Sequence, residues 1–407
     1  PYLAHASLGP SCGVAIWPGD GSLRVWSHSQ GVYPLRAELA RAFELAPDRV
    51  VVEHVEGAGC YGHNGADDAA YDAALLARAV PGRPVQVVWS RADELAWSPF
   101  GPAMVVEIEA GVDQAGAVCS WRHEVWGNGH SSRPSSPGHP PLLATTMQDP
   151  ARVRPPAGDP PMERGGGAGR NAVPLYDFPG VCVVGHRLES MPLRTSALRA
   201  LGAHLNVFAI EAVVDELALA VGADPIAYRH AMVSDERARA VLAAVAERSG
   251  WDRLPPGSGR GVGLARYKGV GAWCAVVAEI EAEDSVRVRR LTVAVDAGLV
   301  VNPDGVVNQI EGGAVQAVSW TTKEQVRFDR RQVTSTTWED YPILTFPEVP
   351  PVDVVVIDRP ELPSLGVGEA SVGPTAAAIG NALRDALGVR FGQLPLTPQN
   401  IVAALGA

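Results

Sequence analysis

The chain has 407 residues, of which 46% are hydrophobic and 19% are charged, and this composition excludes a disordered or collagen-like chain. Its length predicts two domains. The 34 basic residues are outnumbered by 45 acidic ones, giving a formal net charge of −11. That balance argues against a nucleic-acid partner, which requires a basic face. No apolar run reaches the roughly 20 residues of a membrane helix.

The cysteines predict neither a disulfide framework nor a zinc or iron-sulfur site. There are five of them, an odd number, and they are widely spaced without a Cys-x-x-Cys pair. We interpret them as reduced thiols that are mostly buried: Cys12, Cys60, Cys119, Cys182 and Cys274.

Short strands and helices alternate in the first third of the chain. Apolar and β-branched patterns predict strands, and alanine-rich amphipathic patterns predict helices. The predicted strands cover 13–17, 22–29, 49–56, 84–90, 101–112 and 116–127, and the predicted helices cover 34–46 and 67–80. From 128 to 180 the periodicity disappears, and the abundance of proline and glycine there predicts a long connection.

Helical periodicity returns after this connection, and strands follow a turn at 255–259. Helices are predicted at 206–221, 225–232 and 235–249, strands at 261–267, 273–283 and 286–296, and further helices near 304–320, 374–388 and 397–405. This order predicts an α+β architecture with mixed sheets and packed helices. We expect two domains, covering residues 1–250, with the loop at 128–180, and residues 251–407.

The glycines from Gly57 to Gly62 match the spacing of a dinucleotide-binding fingerprint after a strand. Two details weaken that interpretation. Such a site needs the helix to begin directly at the glycines, whereas four residues intervene here. The pair Asp67 and Asp68 then lies at the helix start and would repel a phosphate. A nicotinamide or flavin site stays a minor alternative to a loop that packs its backbone against another bound group.

Five stretches, taken in chain order, resemble the molybdopterin-binding large subunits of the xanthine dehydrogenase and aldehyde oxidase family. They lie at 5–12, 59–68, 215–225, 296–313 and 366–369. The chain is most similar to the nicotinate dehydrogenase and isoquinoline oxidoreductase branch, from its first residue to nearly its last. The resemblance implies the two-part fold of a molybdenum hydroxylase large subunit.

The resemblance also implies a cofactor. Molybdenum is held there by the dithiolene of molybdopterin, possibly in the cytosine dinucleotide form, so no side chain is expected to ligate the metal directly. Amide side chains, an arginine and closely approaching backbone would then hold the cofactor. The residues that match these roles are Gln30, Tyr61, Gly62, Arg199, Gln309, Gly366 and Gly368.

By the same resemblance Glu369 is the catalytic residue, a general base that takes a proton from an oxygen nucleophile derived from water. A glutamate after Gly-x-Gly could instead cap the following helix. His63 and Asn64 are candidate substrate contacts, although residues of this kind are more often hydrogen-bonded within loops.

For three of the candidate cofactor-binding residues, a purely structural role is an alternative. Gln30 and Gln309 could be satisfied polar residues at a strand end and on a helix. Arg199 could simply pair with Glu211 or Asp215 on the helix that follows it.

The predicted function is molybdenum-dependent hydroxylation of an N-heteroaromatic, nicotinate-like small molecule. The electrons would pass to a small partner subunit that carries two [2Fe-2S] clusters. Aldehyde oxidation at the same site and a non-catalytic cofactor-binding fragment are the alternatives.

The Met-Gly-Gln-Gly type loop of the family's N-terminal half is absent from the sequence. We therefore expect this chain to be the C-terminal portion of a longer large subunit or one product of a split gene, with the missing N-terminal portion as a partner. We expect assembly in the cytoplasm.

Overall fold

The computed structural model describes residues 1–114, 116–134, 142–148 and 156–406. The strands are β1 (Cys12–Ile16), β2 (Leu23–Ser27), β3 (Val50–His54), β4 (Val85–Val88), β5 (Met104–Val112), β6 (Val118–Gly127), β7 (Val181–Arg187), β8 (Arg260–Arg266), β9 (Trp273–Ala282), β10 (Val286–Asp296) and β11 (Val352–Ile357). The α-helices are α1 (Val32–Ala42), α2 (Ala66–Arg78), α3 (Arg91–Trp97), α4 (Leu143–Gln148), α5 (Ala203–Ala220), α6 (Pro225–Ala231), α7 (Glu236–Ser249), α8 (Pro303–Thr322), α9 (Val372–Leu387) and α10 (Pro398–Leu405).

The N-terminal sheet has the order β3-β2-β1-β4 and is mixed, because β2 and β3 run parallel while the other pairs are antiparallel. Helix α1 makes the connection that a parallel pair requires. Helix α2 lies so close to β1 that a Cβ on Gly13 would be 2.6 Å from the Cα of Ala70. Small residues on both elements therefore set the distance between this helix and the sheet.

A second mixed sheet has the order β11-β10-β9-β8, with β10 and β11 parallel. Residues 273–278 of β9 and 291–296 of β10 are all buried. Helix α9 packs across β8, where a Cβ on Gly261 would lie 2.2 Å from the backbone nitrogen of Ala382. A Cβ on Gly263 would lie 2.3 Å from the carbonyl oxygen of Pro374. These glycines let α9 sit directly on the sheet and fix the loop that precedes it.

The third sheet, β5-β6-β7, is also mixed and packs against the second sheet through helices. Trp121 of β6 lies in one hydrophobic cluster with residues of α5, α6, α7, β8 and β9. Helices α5 and α7 thus contact the sheet that follows residue 250. The domain boundary at 250 stays a prediction, and the core is continuous across it.

The predicted α+β class is confirmed, and most predicted elements occur within a few residues of their expected bounds. Strands β7 and β11 and helices α3 and α4 were not predicted. Strand β11 follows prolines, and α3 begins at a capping box in which the side chain of Ser90 accepts from the backbone of Asp93. Two parts of the predicted 128–180 connection, 135–141 and 149–155, lie outside the described residues.

All five cysteines are free thiols, but the prediction that most of them are buried is wrong. Cys274 is buried, Cys119 and Cys182 are exposed, and the other two are intermediate. Cys119 and Cys182 lie near the starts of β6 and β7, where neighbouring residues of both strands are also exposed, and spacing in the sequence does not reveal this. No helix among the described residues is long and apolar enough to cross a membrane.

Candidate active site

Six segments that are distant in sequence line a cavity of about 700 Å³. They are the end of β2, the loop before α2, the connection after β6, the segment that leads into α5, the first turns of α8 and the loop before α9. The predicted residues Gln30, Tyr61, Gly62, Arg199, Gln309, Gly368 and Glu369 all line this cavity. The fold therefore brings together seven of the eight residues predicted to bind the cofactor or act as the base.

The carboxylate of Glu369 is half-buried and held by two donors. Its Oε1 accepts a hydrogen bond of 2.8 Å from the backbone N–H of Ala200, and the hydroxyl of Tyr267 donates to the same carboxylate. Helix α9 begins after Ser371, and Glu369 makes no side-chain cap bond there. The capping alternative therefore does not describe this glutamate.

Tyr267 joins Glu369 to a buried arginine. Arg170 is 4% exposed, and its Nη1 donates to the Tyr267 hydroxyl at 2.7 Å. Its other donors bind the carbonyl oxygens of Gly165 and Gly166. Burial raises the pKa of the Tyr267 phenol, and the negative charge of Glu369 raises it further. The phenol therefore stays protonated and serves as a donor. Sequence reasoning gave Tyr267 no role, because no local pattern marks it.

Arg199 ties the loop before α9 to helix α8. Its Nε donates to the carbonyl oxygen of Gly368 at 2.6 Å, and its Nη2 donates to the carbonyl oxygen of Gln309 at 3.0 Å. Burial lowers the pKa of its guanidinium, while the nearby Glu369 opposes that shift. Glu211 and Asp215 instead bind Arg229, so the alternative pairing of Arg199 with these carboxylates is not observed.

Gly62 allows the loop before α2 to lie against the segment leading to α5. The N–H of His63 donates to the carbonyl oxygen of Ala197 at 2.7 Å, and the N–H of Arg199 donates to that of Tyr61 at 2.7 Å. A Cβ on Gly62, which has a φ of +134°, would lie 2.1 Å from the Ala197 oxygen. Only glycine fits this contact without displacement.

Backbone strain is concentrated at this contact. Tyr61, Ala200 and Leu201 all have positive φ values, of 54°, 71° and 49°. Residues with side chains rarely adopt this conformation, and where it persists the surrounding structure must hold it. The hydrogen bonds on either side of Gly62 supply that support.

Both glutamines of the cavity lining are exposed. The Oε1 of Gln30 accepts from Arg133 at 2.7 Å, and its amide nitrogen lies 2.9 Å from the sulfur of Cys60. The Oε1 of Gln309 is 3.3 Å from Nη2 of Arg199. Both amide groups are thus accessible from the cavity while partly oriented by neighbours.

Three predicted residues do not line the cavity. Gly366 is exposed and lies outside the lining. His63 is buried, with Nδ1 2.8 Å from the hydroxyl of Ser196 and Nε2 2.9 Å from Asp67. Asn64 donates to the hydroxyl of Ser7 at 3.2 Å. The side chains of His63 and Asn64 therefore make hydrogen bonds to other residues of the protein and do not line the cavity.

The cavity fits a polar organic cofactor held through its substituents. Amide groups, guanidinium groups and a carboxylate line its wall, and these can bind a pterin and its oxygen substituents. The lining also includes His130, a buried histidine whose two ring nitrogens have no hydrogen-bond partner among the described residues. Among the described residues no group of three or more His, Cys, Asp and Glu side chains could hold a metal ion.

Two family profiles match the chain, and both describe a molybdopterin cofactor-binding domain. They cover residues 1–154 and 218–350, together more than half of the chain. The chain belongs to the molybdopterin-binding large subunits of the xanthine dehydrogenase and aldehyde oxidase family. The cavity described above is therefore the candidate site for a molybdopterin cofactor.

Two curated relatives cover nearly the whole chain. One subunit of nicotinate dehydrogenase from Pseudomonas putida is 40% identical over 427 aligned positions, which cover 100% of this chain and 34% of the relative. The beta subunit of isoquinoline 1-oxidoreductase from Brevundimonas diminuta is 29% identical, over 97% of this chain and 48% of the relative. The chain thus spans between a third and a half of the length of these relatives.

Solved structures show the same fold. Quinoline 2-oxidoreductase from Pseudomonas putida 86 superposes with a TM-score of 0.80 at 15% identity, covering 100% of this chain and 75% of that one. Aldehyde oxidoreductase from Desulfovibrio gigas gives a TM-score of 0.77 at 15% identity, covering 100% of this chain and 60% of that one.

Proposed function

We propose that this chain forms the base-carrying part of a molybdenum hydroxylase that inserts an oxygen atom from water into an N-heteroaromatic, nicotinate-like substrate. The observation that carries the proposal is the carboxylate of Glu369, held by two donors at the wall of a cavity lined by Gln30, Arg199 and Gln309. Relatives named for nicotinate and isoquinoline support this substrate class.

Gln30, Gln309 and Arg199 would hold the cofactor through hydrogen bonds, with the backbone at Gly62 and Gly368 completing the wall. When bound, the molybdenum cofactor supplies the two-electron oxidant of the reaction. We also propose that the molybdopterin cofactor is in the cytosine dinucleotide form. Chromatography of the nucleotide that acid hydrolysis releases tests this identity.

Glu369 acts as the proton acceptor for the oxygen nucleophile. The overall conversion breaks a C–H bond of the substrate, forms a C–OH bond with an oxygen atom from water, and releases two protons and two electrons. A carboxylate fixed by Ala200 and Tyr267 is pre-oriented for the first of these protons. Arg199 fixes the position of Glu369 indirectly, because it binds the carbonyl oxygen of Gly368.

The two electrons must leave through another protein. The cysteines of this chain are far apart and without a Cys-x-x-Cys pair, so we propose that a small partner subunit carries the [2Fe-2S] clusters. We also propose that the remaining length of the large subunit, which the relatives possess, completes the cofactor site. We propose that the complex assembles in the cytoplasm.

The test uses the full-length complex with an artificial electron acceptor and a panel of N-heteroaromatics and aldehydes. Glu369→Gln should lower kcat by roughly 100-fold or more while molybdenum content is unchanged. Glu361→Gln, at an exposed glutamate on the same connection, is the matched control and should behave as the wild type.

Full activity of Glu369→Gln would exclude the glutamate as the base. Turnover of aldehydes but not of N-heteroaromatics would favour the aldehyde alternative. A molybdenum-loaded complex without activity on either class would favour a non-catalytic role.

A further inference from the structure

Three buried side chains form a continuous chain of hydrogen bonds beside the candidate active site. They belong to Asp67, His63 and Ser196, which are 3%, 7% and 0% exposed. The Nε2 atom of His63 lies 2.9 Å from a carboxylate oxygen of Asp67, and its Nδ1 atom lies 2.8 Å from the hydroxyl oxygen of Ser196. None of these three residues lines the cavity, so contact with a ligand does not explain why the polar groups are buried together.

The groups at the two ends fix the direction of this chain. An ionised carboxylate can only accept hydrogen bonds, so Nε2 of His63 donates to Asp67. In the neutral imidazole Nδ1 is then an acceptor, and the hydroxyl of Ser196 donates to it. The oxygen of that hydroxyl accepts the backbone N–H of Ser132 at 3.2 Å. Each donor thus has one acceptor, and the hydroxyl of Ser196 is held in one orientation.

The same order of groups activates the nucleophile of serine hydrolases, but that chemistry is closed to Ser196. A nucleophilic hydroxyl must be reached by its substrate, whereas Ser196 has no exposed surface and its oxygen already contacts two hydrogen-bond partners. The chain therefore acts on the protein itself, through the backbone that follows Ser196.

That backbone carries a donor that holds Glu369. The N–H of Ala200, four positions after Ser196, donates to the carboxylate of Glu369 at 2.8 Å. Ala200 and Leu201 both have positive φ values. Because residues with side chains rarely adopt this conformation, the segment keeps its shape only where its neighbours hold it.

His63 holds this segment at two successive residues. Its backbone N–H donates to the carbonyl oxygen of Ala197 at 2.7 Å, and its imidazole binds Ser196. Asp67 anchors the other end, since it lies in the first turn of α2, where the helix N-terminus stabilises a negative charge. The chain thus ties helix α2 to the segment that leads into α5.

We propose that Asp67, His63 and Ser196 are positioning residues, which fix the segment leading into α5 so that the N–H of Ala200 holds the carboxylate of Glu369 in its reactive orientation. This inference rests on the function proposed above. It gives His63 a role other than the predicted contact with substrate, because the imidazole acts through the protein backbone.

The test is a double-mutant cycle on the full-length complex, by steady-state kinetics with nicotinate and an artificial electron acceptor. Ser196→Ala removes the hydroxyl and leaves His63 paired with Asp67. His63→Gln places an N–H donor near the position of Nε2, which keeps Asp67 paired, and loses the contact with Ser196.

Each single variant should lower kcat roughly tenfold with little change in KM, because a small displacement of the base slows proton transfer more than it weakens substrate binding. The double variant should be no slower than either single variant, since both changes remove the same hydrogen bond. Molybdenum content should be that of the wild type in all three.

Ser335→Ala is the matched control. Ser335 is 1% exposed, and its hydroxyl also accepts a backbone N–H, that of Arg327 at 3.0 Å, but it lies outside the cavity lining. Ser196→Ala and Ser335→Ala should both lower the midpoint of unfolding in urea, and only Ser196→Ala should lower kcat.

The possible failures are distinguishable. Wild-type kcat in Ser196→Ala, measured beside an active wild type, would overturn the inference alone. Multiplicative losses in the double variant, or an equal loss of kcat in Ser335→Ala, would overturn it as well, because they indicate independent or general damage. Loss of molybdenum from Ser196→Ala would show that the chain supports the cofactor and not the base. A molybdenum-loaded wild type that turns over no N-heteroaromatic would overturn the proposed function, and the inference with it.

Discussion

Replacing Tyr267 by phenylalanine tests whether the hydrogen bonds around Glu369 orient the base. The substitution removes one hydroxyl from a side chain that is 7% exposed. Glu369 would keep the N–H of Ala200 as a donor and lose the phenol. Arg170 would keep its bonds to Gly165 and Gly166, so the buried guanidinium remains partly paired and the fold should survive.

The expected magnitude follows from the charge on the acceptor. A hydrogen bond to a charged group contributes about 1.5–3 kcal/mol, and each 1.4 kcal/mol is about a factor of ten. If the bond holds the carboxylate in its reactive orientation, Tyr267→Phe should lower kcat roughly 10- to 100-fold with little change in KM.

Steady-state kinetics of the full-length complex measure kcat and KM. Tyr228→Phe is the control, since Tyr228 is also buried and its hydroxyl donates to the carbonyl oxygen of Gly116 at 3.1 Å, outside the cavity lining. A Tyr267→Phe enzyme with the kcat of the wild type would refute the reasoning and leave the N–H of Ala200 as the orienting donor.

Two further predictions concern stability, and both use unfolding in urea. Gly62→Ala should lower the free energy of unfolding by at least about 2 kcal/mol, because the new Cβ would lie 2.1 Å from the Ala197 oxygen at a φ of +134°. Burial raises the pKa of Glu324 from 4.5 to about 7, so between these values the native state holds more protons than the unfolded state and stability falls as pH rises. Glu324→Gln should remove this fall, raising the free energy of unfolding at pH 8 by about 3 kcal/mol and changing it little at pH 4.5.

Each stability prediction has a result that contradicts it. Gly185→Ala is the control for Gly62, since a Cβ at Gly185 would meet no described atom within 4 Å; equal unfolding midpoints for both variants would remove the steric argument. A gain for Glu324→Gln that is the same at both pH values would show that charge burial is not its cause.

Several features of this protein were determined by the sequence itself. Hydrophobic periodicity and side-chain caps set the secondary structure, as at α6, α7 and α8, which begin at Asp224, Asp235 and Asn302 with the side chain of each accepting a backbone N–H. Such signals act over one or two turns and are therefore readable locally. The motifs that resemble the family likewise placed Gln30, Arg199, Gln309 and Glu369 on the candidate list.

Which of these residues meet, and what else surrounds them, depends on how distant segments of the chain pack together. Glu369 binds the backbone of Ala200 across 169 positions of sequence, and Tyr267 and His130 join the site without any local pattern. The same packing buries His63 in hydrogen bonds to Ser196 and Asp67. Contacts of this range depend on how the three sheets and their helices stack, and no periodicity within a single segment encodes that arrangement.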